Sequence, residues 1–317
     1  MSQALQTVDK VEVLILVDNL SDVLLPPGPF LERAPKGVGG TIATNTLLAE
    51  HGLCLLISLE KDGRRQSILL DAGYSPVAAV HNADILGLDL SQVDTMVLSH
   101  GHMDHTGAIE ALLGRMKKPA TMLMHPAASH APRFLVFPGG QKVSFPLTVK
   151  PDLFRDWGAT VVEEAGPSLL LDGQLLVTGQ VPKVTDFEKG MPNALTIKDG
   201  QEVQDPIEDD QSLVADVAGR GLVVISGCAH SGIVNTCLHA KELTGRNKLH
   251  TIIGGFHLSG PVFEPIIEPT AQALDELGPE LLVPLHCTGF KALCALAARF
   301  GKRFALSSVG SKVIVGA

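Results

Sequence analysis

The stretch Thr95-Met-Val-Leu-Ser-His-Gly-His-Met-Asp-His-Thr-Gly107 constrains this chain more than any other, because an apolar run empties into His100, His102, Asp104 and His105. Val93 to Leu98 has the composition of a buried strand, and Gly101 lets the chain turn sharply as it leaves. Alternate residues of an extended segment point the same way, so a loop at a strand end aims His100 and His102 at one ion. Asp104 and His105 follow on the turn and can face a second. Imidazole with carboxylate suits zinc, iron or manganese better than calcium or magnesium. Solvated histidines cluster by chance, but a His-x-His-x-Asp-His frame directly after an apolar strand has the context a metal motif needs.

With Leu69-Leu-Asp-Ala-Gly73 preceding it, this frame resembles the metallo-β-lactamase superfamily, whose signature follows a strand ending in Asp. Glu50-His-Gly-Leu53, Gly227-Cys-Ala-His-Ser-Gly-Ile-Val-Asn235, Gly254-Gly-Phe-His-Leu258 and Leu285-His-Cys-Thr-Gly289 are similar to its branch of 7,8-dihydropterin-6-yl-methyl-4-(β-D-ribofuranosyl)aminobenzene 5'-phosphate synthases. The resemblance runs from about Val11 to Gly310. It implies an α/β fold, a four-layer αββα sandwich, with residues 1–317 as one domain. It places Asp71 outside the ligand set, accepting the free N–H of a metal-bound histidine, and His286 as the last metal histidine. It departs from the wider superfamily at Leu176-Val-Thr-Gly-Gln-Val-Pro182, where many members carry a third metal histidine and this chain has none.

The missing ligand has candidates further on. Gly221 to Ser226 is an almost continuous apolar run, as expected of a strand buried on both faces, and it ends in Gly227-Cys-Ala-His230. Strands over 250–253 and 281–285 end in His257 and His286. Strand and helix alternate here, which implies parallel strands whose C-terminal ends lie together, so His230, His257 and His286 should converge. Cys228 stands where relatives carry Asp, and is either a ligand or a buried thiol. His125, delivered by the strand 121–124, is a further candidate.

Composition removes whole classes of function. A net charge of −9 and an apolar content of 45% argue against a nucleic-acid or membrane-surface binder, which needs a basic face, and suit a globular protein acting on a small molecule. Five cysteines without regular spacing fit a reducing compartment. Neither a signal peptide nor a run long enough to span a bilayer is evident, so the expected location is cytoplasmic. Oligomeric state is open.

Elsewhere, Asp62-Gly63 between two apolar runs predicts a hairpin, Ile109, Leu112, Leu113 and Met116 predict a helix over 106–116, and residues 21–40 form a long loop. The acidic run Asp205, Glu208, Asp209 and Asp210 is expected to be mostly solvated, in a segment that covers the site as a lid or edge.

The expected chemistry uses two divalent ions, zinc first, with iron or manganese as alternatives. His100, His102 and His230 hold one, and Asp104, His105 and His286 the other. Such ions make hydroxide available near neutral pH. Asp104 steers its proton, His257 protonates the leaving group, and His51 and Phe256 touch substrate, Phe30 being another aromatic candidate. This predicts hydrolysis of an ester, lactone or phosphodiester, possible substrates including pterin- or phosphate-bearing small molecules. The alternatives are a mononuclear iron oxygenase and the pterin-linked phosphoribosyl synthase reaction of the branch. A non-catalytic metal protein would not need Asp104.

Overall fold

In the computed structural model, which describes residues 4–38 and 40–316, strand β1 (Lys10–Val17) is buried along nearly its whole length. Val11, Val13 and Ile15 enter a core between two sheets, while Leu14 and Leu16 enter a second core beneath helices. A middle-layer strand requires two apolar faces, and this one has them. After the short edge strand β2 (Leu31–Glu32), β3 (Cys54–Lys61) and β4 (Arg64–Leu70) form the expected hairpin. Asp62 and Gly63 both take positive φ, 51° and 74°, as a two-residue turn of matching twist requires. Strands β5 (Thr95–Val97) and β6 (Ala120–Met124) add in parallel. A ribbon, β7 (Arg133–Val136) and β8 (Lys142–Ser144), leaves the sheet before β9 (Ala159–Glu163) completes that edge. Helices α1 (Ala78–Ile85), α2 (Ile109–Leu113) and α3 (Pro151–Asp156) cover the outer face.

The second sheet runs β10 (Ser168–Leu170), β11 (Leu175–Val177), then, after the ribbon strands β12 (Ala194–Lys198) and β13 (Gln201–Gln204), β14 (Ser212–Val217), β15 (Gly221–Ser226), β16 (Leu249–Gly255) and β17 (Leu281–Leu285). The last three are parallel and end at one edge. Helices α4 (Ile233–Thr244), α5 (Ile267–Leu277) and α6 (Phe290–Phe300) cover its outer face. Strand β18 (Lys312–Gly316) returns to the first sheet between β1 and β2. The layers are therefore αββα. No helix among the described residues is long and apolar enough to cross a membrane.

Two expectations are corrected. The helix over 106–116 shrinks to α2, because Gly107 and Ala108 donate their N–H groups to Gly73 and Ala72 rather than to a preceding helical turn. Of the acidic run, Asp205, Asp209 and Asp210 are buried, not solvated. Arg133, itself buried, lies 3.1 Å from Asp205 and pairs with Asp209, and Asp210 accepts backbone N–H groups, so each carboxylate is compensated. Part of the segment expected as a lid or edge is the β12–β13 ribbon, which pairs with β7.

Candidate metal centre

Each candidate donor sits just past the end of a strand. The backbone turns sharply at these points: φ is 61° at Asp71, 53° at Ala229, 42° at His257 and 49° at His286. Such conformations cost about 1–3 kcal/mol each in non-glycine residues and persist where the surrounding structure enforces them. Here they turn side chains from parallel strand ends toward one point between the sheets.

From the first sheet, Asp71 organises the motif. Its Oδ2 accepts Nδ1–H of His105 at 2.6 Å and the hydroxyl of Ser99 at 2.7 Å, and Ser99 Oγ lies 3.0 Å from His100 Nδ1. One carboxylate thereby fixes His105 directly and His100 through Ser99, each by its Nδ1 so that Nε2 faces the other donors, which is how metal-binding imidazoles are oriented. The His102 ring stacks on Phe145, centroids 4.6 Å apart and planes within 6°.

From the second sheet, His230 brings its Nε2 to 3.1 Å from His100 Nε2. Asp210 accepts the N–H groups of His230 and Ser231, while Asp209 accepts that of Gly101, so adjacent carboxylates hold both ligand loops. His286 is fixed from the end of β1: Asp18 accepts its backbone N–H and Asn19 Oδ1 accepts its Nδ1–H at 3.0 Å. Its Nε2 lies 3.2 Å from Asp104 Oδ2. At the seam, a Cβ on Gly227 would stand 2.0 Å from Ser99 Oγ, so no other residue fits without displacing Ser99.

The Cys228 thiol is central. Its Sγ lies within 4.8 Å of the donor atoms of His100 and His230, of His105 and His286, and of His257 and Cys287. His105 Nε2 approaches it to 3.1 Å.

Burial and the neighbouring imidazoles hold His100 and His230 well below the usual histidine range, and burial brings His102 down to about 4. These rings are neutral at physiological pH, the form that binds metals. Against the effect of burial, Asp71 and Asp104 raise His105 to about 9, and the charge of His105 keeps Asp104 ionised. The donor set fits a divalent metal: His286 Nε2 is buried without a hydrogen-bond partner, and it belongs with His105 and Cys228 to a buried group whose donor atoms lie within 4.8 Å of one another.

The fold thus brings together His100, His102, Asp104, His105, His230 and His286. His257 is adjacent, its ring 4.3 Å from that of His230. His51 stands at the rim, Nδ1 held by Asn19 and Nε2 3.7 Å from Asp104. Phe256 does not line the cleft, contrary to expectation: its ring is buried in the core beneath the second sheet's helices, and Phe137, Phe145 and Phe263 line the cleft instead. Phe30 packs on His250. His125 accepts the N–H of Ala127 and caps its own turn. Sequence reasoning passed over Asn19 and Cys287. The position of Asn19 two residues past a buried strand was the available signal for the first, and its place beside His286 for the second.

The family model of the metallo-beta-lactamase superfamily matches residues 49–243. The chain is 32% identical over 252 residues to the 7,8-dihydropterin-6-methyl-4-(beta-D-ribofuranosyl)-aminobenzene-5'-phosphate synthase of Methanocaldococcus jannaschii, an alignment covering 77% of this chain and 83% of that protein. Its fold is similar to that of Tm1679, a metal-dependent hydrolase of the beta-lactamase superfamily, with a TM-score of 0.71 and 23% identity over 97% of this chain and 100% of that one. It is also similar to Zn(2+)-bound PqqB from Methylobacterium extorquens, with a TM-score of 0.50 and 12% identity over 95% and 99%. The chain belongs to the metallo-β-lactamase superfamily.

Proposed function

We propose that this protein is a metal-dependent hydrolase acting on an ester, lactone or phosphodiester bond of a small molecule. The observation that carries the reading is the convergence of imidazole, carboxylate and thiol from both sheets, with the outer nitrogens of His100, His105 and His286 already committed to Ser99, Asp71 and Asn19. His100, His102 and His230 would hold one ion and Asp104, His105 and His286 another, with Cys228 between the two sets. Divalent ions, zinc first, supply there a lowered pKa for water and polarisation of a carbonyl or phosphoryl oxygen. Asp104 takes the proton of the attacking water. His257, whose Nδ1 has no protein partner, delivers a proton to the leaving group, and His51 touches substrate at the rim. A reducing, cytoplasmic setting suits a floor that carries Cys228 and Cys287.

Metal content tests this reading, on protein purified without added metal, for wild type, His230→Ala and His286→Ala. Two equivalents, falling toward one or none in each variant, are expected, with turnover somewhere in a panel of esters, lactones and phosphodiesters. One equivalent of iron, indifferent to both substitutions, would replace the hydrolase by a mononuclear oxygenase. The similarity to the M. jannaschii synthase favours a second reading, a synthase reaction on a dihydropterin substrate. Consumption of a dihydropterin by a protein inert across the hydrolysis panel would select it.

A further inference from the structure

Cys287 belongs to neither histidine set, yet it lines the cleft beside Cys228 and His257. It follows His286 at the end of β17. The thiols of Cys54 and Cys237 pack in the apolar cores beneath the helices, where a buried cysteine behaves as a small hydrophobe. Cys228 and Cys287 belong to neither of those cores. Their Sγ atoms and one ring nitrogen of His257 lie within 4.8 Å of one another, and an ion that enters the cleft reaches all three side chains.

Room for the second thiol depends on Gly255, the last residue of β16. A Cβ there would stand 2.7 Å from Cys287 Sγ and 2.5 Å from the Gly227 carbonyl oxygen, so glycine is what lets β16 end this close to the thiol. The Cys287 thiol donates to the Cys228 carbonyl at 3.7 Å, a weak bond. His257 Nδ1 is buried and has no partner in the protein. A buried polar atom in that state calls for a ligand or an ion to complete it.

Two thiols and one imidazole are a donor set unlike either of the others. Thiolate selects zinc and cuprous ions over magnesium, calcium and manganese. Zinc takes cysteine and histidine in a tetrahedron, and three protein donors leave one position for water or a ligand in the cleft. A thiolate sulfur bridges ions, so Cys228 serves this group without leaving the histidine sets.

We propose that Cys228, His257 and Cys287 form a further cation site on the cleft, which takes a thiophilic ion such as zinc beyond those held by the histidine sets. The inference rests on the metal-centre reading only through the shared Cys228. Binding replaces the Cys287 thiol proton by the ion and releases that proton to solvent. Because the site shares a ligand, it fills after the histidine sets.

Zinc titration of the metal-loaded protein, with bound metal counted after gel filtration, tests the assignment, and a parallel series in cobalt reads thiolate-to-cobalt absorption. Wild type should bind one further equivalent, accompanied in cobalt by new thiolate absorption. Cys287→Ser, Cys287→Ala and His257→Gln should keep the metal they carry as purified and bind no more. Cys294→Ser, which removes an exposed thiol, should still bind the further equivalent. Wild type taking up no additional ion would overturn the proposal, as would uptake that survives both Cys287 variants or His257→Gln, or that disappears in Cys294→Ser. Uptake is read without turnover, so a protein that gains the Cys287-dependent ion yet hydrolyses nothing refutes only the hydrolase. One that hydrolyses esters and takes no further ion refutes only the thiolate site.

Discussion

The first sheet delivers His100, His102, Asp104 and His105 from one turn, whereas the second delivers His230, His257 and His286 singly, from the ends of β15, β16 and β17. The first set is positioned by local backbone geometry and two buried carboxylates, Asp71 and Asp209. The second depends on strand register: Ser226 faces Gly254, and Gly255 faces Leu285. A slip of one residue would turn each histidine to the opposite face. Half of this site is therefore a property of a loop, and the other half a property of a whole sheet.

The strongest way to break this division is at the seam where the halves touch. Gly227→Ala forces Ser99 and the Asp71 relay to move, and should leave less than one metal equivalent and about 3 kcal/mol less stability. Metal analysis and thermal unfolding read both. Full metal retention would mean that the halves are less tightly fitted than Ser99 and Gly227 imply.

Next in size is a comparison of the two supports. Asp71→Ala removes the anchor of His105 and, through Ser99, of His100, so metal affinity should fall about 100-fold. Of the proposed metal donors, Asn19→Ala loosens His286 alone, and it should cost about tenfold. Chelator competition measures each. Equal losses would say that the local set has no shared support.

The smallest effects separate the halves by pH. Glu188, whose carboxylate accepts N–H groups at the start of α4, is pushed up to about 7 by burial. A raised carboxyl pKa means the folded state favours the protonated form, so stability declines as pH rises from about 4.5 to 7. Glu188→Gln should therefore gain about 3 kcal/mol relative to wild type across that interval and nothing further above it. In the first sheet, Glu12 is buried, but Arg65 and Lys10 hold its carboxyl at about 2. Its contribution is complete above about pH 4.5 and is lost toward pH 2; because Arg65 is half exposed, Glu12→Gln should cost less than about 1 kcal/mol near neutrality. Thermal unfolding of both variants from pH 3 to 8 checks the opposite signs.

What the sequence revealed follows the same division. The hairpin at Asp62-Gly63 and the donor frame at 100–105 are short-range patterns with their own physical signatures. The convergence of His230 and His286 was inferable from strand and helix alternation, since parallel strands end together. The burial of Asp205, Asp209 and Asp210 was not, because their partners are Arg133 and backbone amides distant in sequence. Phe256 misled for a related reason. Adjacency to His257 places it at a strand end, but only the packing of α4 to α6 decides that its ring points inward.

Strand β18 carries a consequence for how such a chain is made. Lys10 pairs with Gly316 and Leu14 with Lys312, so one edge of β1 stays open until the ribosome has added about 300 further residues. At about 5–20 residues per second that interval lasts roughly 15–60 s. Throughout it the nascent chain presents an apolar strand with unpaired backbone groups, a template for mispairing with its neighbours. Synthesis of this protein should therefore be sensitive to crowding among ribosomes on one message, and to any factor that shields β1 until β18 arrives.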